Sequence, residues 1–356
     1  MKTRVVVGCP GSGKSTYAAK IANSLLPSET LILSYSKSAS RGIAKKAGTD
    51  YRSSTIHSLC FHDMEIKSQQ MFLDKQVDEL CNRLRISAPN KSFDKYDPDT
   101  HFIEVYNFAR NRATDIYEAY YNYEDLKFTF AEYVSYVEAL KKYKETFDLY
   151  EFYDLLEFYD PTSAPKNLLI DESQDLSLAL IGALEKLIRN GTKNLWMLGD
   201  PTQSIYTYSG SDPKLMYRFE GEEEFLEQSY RCPKAVTKLA KTIFPDVKFL
   251  PTSEEGEITR ATTIPEDAGL VLVRTNYIRY KILKSYDFLD KNKVMTMHKS
   301  KGMQDKHVVI INERTRRVVS SFENDPEPEN RVLFTAITRS QNKLTIIDGA
   351  RPNAIF

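Results

Sequence analysis

Short runs of β-branched and aliphatic residues recur along the chain, and helical spacing fills most of the gaps between them. Residues 4–7 (RVVV) read as a buried strand, followed by a Gly-rich loop and a helical pattern over residues 15–26. After Pro27 a second strand is predicted at residues 30–34. Further strands are expected at residues 167–170, 194–198, 269–273, 293–297, 307–311 and 343–347. Apolar runs of this length alternating with helices indicate an α/β fold with parallel sheets, since parallel strands are covered on both faces. Residues 61–159 break the pattern. They contain no strand-like run, and 11 of the 22 tyrosines fall within residues 101–160. This stretch is expected to be a helical insertion. Residues 323–330 (ENDPEPEN), with two prolines and four acids, read as a loop. No fixed-period repeat or low-complexity tract is present.

With 356 residues, 41% hydrophobic and 28% charged, the chain has the profile of an ordinary globular protein. That length accommodates two domains of about 150 residues and an insertion. No apolar run approaches the ~20 residues of a membrane helix, so no membrane partner is expected. The first residues carry too short an apolar run for a signal peptide. Cys9, Cys60, Cys81 and Cys232 are scattered with no C-x-x-C pair, which argues against zinc and against a disulfide framework. A reducing cytosol is the expected compartment. The net charge of zero conceals a gradient. Residues 1–60 hold nine Lys and Arg against two Asp and Glu, residues 61–165 hold 12 against 21, and the remainder 28 against 26. A basic opening segment fits a local anionic ligand better than a protein coated in positive charge.

The chemistry begins at Gly8-Cys9-Pro10-Gly11-Ser12-Gly13-Lys14-Ser15, which satisfies G-x-x-x-x-G-K-[ST] directly after a strand and before a helix. Glycines let backbone N–H groups approach phosphate oxygens, Lys14 neutralises them, and Ser15 offers a hydroxyl to Mg²⁺. Leu168-Leu169-Ile170-Asp171-Glu172 adds an apolar strand ending in two acids, Asp171 suited to Mg²⁺ and Glu172 to the attacking water. These two motifs indicate a nucleoside triphosphatase, a property shared by kinases, transporters and GTPases. A small-molecule P-loop enzyme would leave the following segments unused.

Asp171-Glu172-Ser173-Gln174-Asp175 resembles the D-E-x-Q-D segment of the UvrD/Rep/PcrA family of superfamily 1 helicases. Gly199-Asp200-Pro201-Thr202-Gln203-Ser204-Ile205-Tyr206 is similar to that family's G-D-x-x-Q-S-I-Y. Thr55-Ile56-His57-Ser58 matches T-x-H-S, and residues 31–40 resemble its DNA-contacting segment. Gln228-Ser229-Tyr230-Arg231, Thr296-Met297-His298-Lys299-Ser300-Lys301-Gly302 and Leu333-Phe334-Thr335-Ala336-Ile337-Thr338-Arg339 follow in family order. Phe152-Tyr153-Asp154-Leu155-Leu156 resembles D-F-x-D-L-L. Together these segments run from residue 5 to about residue 347.

The resemblance implies two RecA-like P-loop domains, the first over residues 1–60 and 160–215 with the helical insertion at 61–159, the second over 216–356. It implies ATP in a cleft between them, Mg²⁺ as cofactor, and a 3′→5′ single-stranded DNA translocase or helicase. Lys14, Glu172, Gln203, Arg231 and Arg339 would carry catalysis, Gln203 sensing the γ-phosphate and the two arginines stabilising its charge. Gly8, Gly11, Ser12, Gly13, Lys14, Ser15, Thr16, Tyr230 and Gln304 would bind the nucleotide, Tyr230 by stacking on adenine. Ser15 and Asp171 would hold the metal. Tyr35, Ser36, Thr55, His57, Tyr208 and His298 would contact DNA, the tyrosines as stacking platforms. Single-stranded or forked DNA and a protein partner for loading are the implied partners, in the cytoplasm of a bacterial or virus-infected cell. The alternative is a DNA-stimulated ATPase without intrinsic unwinding, stripping proteins from DNA or serving in a repair or defence complex.

The sequence also departs from the family. With the first strand expected from residue 4, the glutamine segment that reads adenine in relatives is not expected here. Gln304 replaces the usual Glu, and Lys37-Ser38 the usual Asn-Lys. Between Arg231 and Thr296 lie 64 residues, where larger relatives insert a regulatory domain, so a stripped motor is expected.

Overall fold

The computed structural model describes residues 1–48, 50–89, 101–122, 126–315, 318–319, 323–350 and 352. Two sheets organise it. The first contains β1 (Lys2–Gly8), β2 (Thr30–Ser34), β3 (Arg52–Ser54), β4 (Asn167–Asp171), β5 (Asn194–Gly199) and β6 (Glu222–Leu226) in the order β3-β2-β4-β5-β1-β6. The second contains β7 (Glu257–Arg260), β8 (Leu270–Val273), β9 (Val294–Thr296), β10 (Asp305–Asn312) and β11 (Ser340–Asp348) in the order β7-β11-β10-β8-β9, with every neighbouring pair parallel. The expected α/β class is what the chain adopts. By its internal contacts the chain divides into two compact units: Met1–Arg4, Ser15–Met197 and Tyr208–Gly221 form one; Val5–Lys14, Leu198–Thr207 and Glu222–Phe356 form the other.

In the first unit, β2 and β4 are buried at every position and pair in parallel, with Leu31 opposite Leu168 and Leu33 opposite Ile170. Helices α1 (Lys14–Asn23), α2 (Lys37–Ala47) and α3 (Ile56–Asp63) follow β1, β2 and β3. Thr55 caps α3 by accepting from Ser58 N, which satisfies one of the otherwise unpaired N–H groups of the first turn. The insertion is helical, with α4 (Asp74–Leu84), α5 (Phe102–Asn111), α6 (Ile116–Tyr121) and α7 (Phe130–Phe147) ahead of α8 (Phe152–Phe158). Phe102, Val105, Tyr106 and Ala109 of α5 meet Tyr133, Val137, Leu140 and Tyr143 of α7 in a core of its own. That spacing of three and four is the buried stripe of an amphipathic helix, and each fully buried aliphatic contributes about 1.5–3 kcal/mol. Four tyrosines of this region (Tyr106, Tyr133, Tyr143 and Tyr159) are therefore packing residues. Beyond β4, α9 (Leu178–Arg189) buries Leu180, Ile181, Leu184 and Leu187.

In the second unit, one face of the β7–β11 sheet packs under α10 (Lys234–Ile243) and α12 (Pro326–Ile337), burying Val236, Ala240, Phe334 and Ile337 with Leu272, Val308 and Ile310. The other face buries Val271, Val309 and Ile311 against Ile278 of α11 (Asn276–Ser285). The loop expected over residues 323–330 is corrected here. Asp325 caps α12 by accepting from Glu327 N, and Pro326 takes its first position. Proline lacks an N–H that this position leaves unbonded, and acids suit the positive helix end, so both features start a helix rather than end one. The helix expected over residues 15–26 ends earlier, at Asn23. No helix among the described residues is long and apolar enough to cross a membrane, and all four cysteines are buried.

Candidate nucleotide and strand sites

In the second unit, the phosphate-loop segment is built on backbone geometry. Gly11 and Gly13 take φ of +73° and +80°, the left-handed region that glycine enters without strain. At Gly11 a Cβ would also stand 2.4 Å from Arg231 Cβ, so the loop and the Tyr230-Arg231 segment are in intimate contact. Tyr230 N donates to Gly11 O at 2.9 Å and Ser229 Oγ to Pro10 O at 2.8 Å. Lys14 Nζ folds back over the loop, donating to Gly8 O at 2.7 Å and Cys9 O at 3.3 Å. Ser12 Oγ is buried with no hydrogen-bond partner among the described residues. A ligand rich in acceptor oxygens answers both features, so the loop suits polyphosphate. Burial pushes the Cys9 thiol up to about 12, which makes it an inert packing group.

Two arginines of the same unit are held by backbone and side-chain acceptors. Arg339 is 2% exposed, with Nε on Thr335 O at 2.8 Å and Nη2 donating to Gln203 Oε1. Gln203 Nε2 in turn donates to Asp200 Oδ2 at 2.5 Å, and Lys301 Nζ reaches Gln203 O at 2.9 Å. Arg231 donates through Nε to Gln304 Oε1 at 2.8 Å and through Nη1 to Thr338 O at 3.3 Å. Tyr230 presents its ring to solvent, 76% exposed. His298 is half-buried; burial and then the Arg274 charge pull it from 6.5 down to about 4, so it is neutral near pH 7. Arg274 itself pairs with buried Glu329, a link that sequence reading did not assign.

In the first unit, Ser15 Oγ donates to Asp171 Oδ2 at 3.3 Å. A hydroxyl beside one carboxylate suits Mg²⁺, which keeps several waters and takes further oxygens from substrate phosphates. Among the described residues no group of three or more His, Cys, Asp or Glu side chains is placed to hold a metal ion. Glu172 holds φ +57°, rare for a residue with a Cβ, and its carboxylate accepts from Gln174 Nε2 at 2.5 Å. Thr16 Oγ1 accepts from Lys46 Nζ at 3.1 Å.

A pocket of about 570 Å³ in the same unit gathers Tyr35, Thr55 and His57 with Asp171 and Glu172. Phe152 and Tyr153 of α8 also line it, and Phe152 meets the His57 ring edge to face at 5.7 Å. From sequence alone the α8 segment carries no assigned role for either ring. Its resemblance to D-F-x-D-L-L was the available signal. Burial lowers His57 to about 4, so this histidine too is neutral near pH 7. Among the described residues the pocket is lined by ring faces and hydroxyls, with Asp171 and Glu172, and by no lysine or arginine. Ser36 lies outside the lining and caps α2 by accepting from Ala39 N at 3.2 Å. Tyr208 is 67% exposed and also outside it.

Comparison with known proteins adds the lineage. The UvrD/REP helicase N-terminal domain model matches residues 1–224, and the UvrD-like helicase C-terminal domain model matches residues 247–349. DNA helicase IV of Escherichia coli (strain K12) is 26% identical over 228 residues, covering 50% of this chain and 33% of that protein. A probable DNA helicase of Mycoplasma pneumoniae is 23% identical over 384 aligned residues, covering 91% of this chain and 70% of the relative. The chain thus spans only a third of the first of these relatives. A solved structure described as that of PRRSV helicase aligns over 97% of this chain and 52% of its own, with TM-score 0.49 and 11% identity. With both family domains matched in order along it, this chain belongs to the UvrD-like helicase family.

Proposed function

We propose that the protein is an ATP- and Mg²⁺-dependent motor that translocates 3′→5′ on single-stranded DNA and separates duplexes as it does so. The observation that supports this most is the second unit's network, in which the phosphate-loop segment abuts Tyr230-Arg231 while Arg339 is held on Gln203. Phosphoryl transfer is mostly positioning and charge stabilisation, and a buried, prealigned arginine supplies both. In this reading the loop amides and Lys14 hold the β- and γ-phosphates. Ser15 and Asp171 would hold Mg²⁺, which would supply positive charge against the phosphates. Glu172 orients the attacking water, Gln203 reports the γ-phosphate, and Arg231 and Arg339 take up charge as the phosphoryl group leaves. Tyr230 stacks on adenine, and Gln304 sits beside the ribose.

The strand is held by rings. Tyr35 stacks on a base in the first unit, worth about 1–3 kcal/mol, while Thr55 and His57 contact the strand's backbone. His298 and Tyr208 add contacts of the same neutral kind. The polarity rests on the T-x-H-S and G-D-x-x-Q-S-I-Y segments, and a loading partner and cytoplasmic location belong to the same proposal. Displacement of streptavidin from biotinylated oligonucleotides tests it. Faster ATP-dependent clearance from 5′ ends is expected; clearance only from 3′ ends would reverse the polarity. A forked duplex that stays paired while ATP is consumed would favour the second reading, a strand-stimulated ATPase without unwinding.

A further inference from the structure

The acidic insertion holds two largely buried cations, Lys144 and Arg110, at the wall of a cavity of about 290 Å³. Lys144 of α7 is 7% exposed, and its Nζ lies 2.6 Å from Glu151 Oε2 and 2.7 Å from Asp154 Oδ2. Arg110 of α5 reaches the same two acids, Glu151 at 3.2 Å and Asp154 at 2.7 Å, and then the exposed Glu157 at 2.7 Å. Both buried acids belong to α8 and its cap, where Asp154 Oδ2 also accepts from Glu151 N at 2.6 Å. Removing charges from water is costly, and a buried pair is weak evidence for stability as such. What such a cluster does well is select one arrangement, because any other leaves a charge unpaired.

Phe152 and Tyr153 lie between those two acids, and both line the pocket of Tyr35 and His57. Arg110 also stands over the Tyr153 ring, its Cζ 5.8 Å from the centroid. We propose that Arg110 and Lys144 are positioning residues of the strand pocket, clamping α8 so that Phe152 and Tyr153 present their rings to it. The insertion then contributes to strand binding through two side chains that never touch the strand. This rests on the strand-binding reading of the pocket given above.

Anisotropy of fluorescein-labelled oligo(dT) tests it, alongside binding of a fluorescent ATP analogue without DNA. Lys144→Met is expected to weaken strand binding about tenfold, since small misplacements of a site are costly, while nucleotide affinity moves less than about twofold. Lys144→Arg is expected to return strand affinity to within about threefold of wild type. Should Lys144→Met fail to fold, Lys144→Met/Asp154→Asn removes the tie and leaves Arg110 and Glu151 balanced; its strand affinity is expected to fall likewise. A folded double variant with wild-type strand affinity overturns the proposal, as does a Lys144→Arg variant as weak as Lys144→Met. Wild-type protein that does not bind oligo(dT) at all removes the underlying reading, a result visible before any variant is made.

Discussion

In the second unit, Lys14, Arg231 and Arg339 are each anchored to backbone carbonyl oxygens, of Gly8, Thr338 and Thr335 respectively. In the first unit, Tyr35, His57, Phe152 and Tyr153 surround their pocket with ring faces, and two of the four rings stand about half exposed, Tyr35 at 47% and Phe152 at 53%. The difference follows from what each ligand would demand. A phosphate of fixed geometry rewards cations that lose no freedom on binding, and backbone anchors hold them at little further entropic cost. Bases that must pass through a site in any sequence reward contacts every base can make, and a stacking face is such a contact.

The largest expected effect lies on the anchored side. Arg339→Ala should lower ATP turnover about 10³-fold or more in steady-state assays, with nucleotide binding reduced far less. Turnover within tenfold of wild type would remove the arginine from the chemistry and with it the contrast. On the ring side, Phe152→Ala should cost about 1–3 kcal/mol of oligonucleotide affinity, close to tenfold, by anisotropy titration. An unchanged affinity would make Phe152 a packing ring and leave the pocket to Tyr35 and His57.

Titration gives a smaller effect that sharpens the same contrast. Burial holds both His57 and His298 down to about 4, against 6.5 for a free imidazole. Between those values the unfolded chain binds protons that the folded chain does not, so stability is complete above about pH 6.5 and declines as pH falls toward 4. Allowing for their half-buried state, about 1 kcal/mol each is expected, read as a falling melting temperature between pH 7 and 5 that His57→Gln partly flattens. Neither histidine gains charge between pH 8 and 6, so strand affinity should not rise there on their account. A tenfold rise abolished by His57→Gln would show a cationic contact instead.

How much of this was legible beforehand depended on what each residue answers to. The eight strands expected from apolar runs are all present, because central parallel strands such as TLILS and NLLID are buried on both faces. The three unforeseen ones, RSS of β3, EEEFL of β6 and EITR of β7, sit at sheet edges with largely exposed side chains, where sequence is free to be polar. Residues 323–330 misled because proline and acids signal a turn and a helix start alike. Within the sites, the phosphate-loop and acidic segments were readable because backbone conformation and metal chemistry restrict the residue types. The Arg110–Lys144 clamp was not, since Arg110 and Glu151 stand 41 positions apart and only the packing of the insertion brings them together.

Steady-state ATP hydrolysis with and without single-stranded DNA, with Lys14→Ala and Glu172→Gln as controls, tests the central claim most directly. The strand is expected to raise turnover by an order of magnitude or more, and each substitution to abolish it. Turnover indifferent to DNA and RNA in a protein that both substitutions still silence would contradict the motor, leaving a nucleotide hydrolase whose strand pocket serves another ligand.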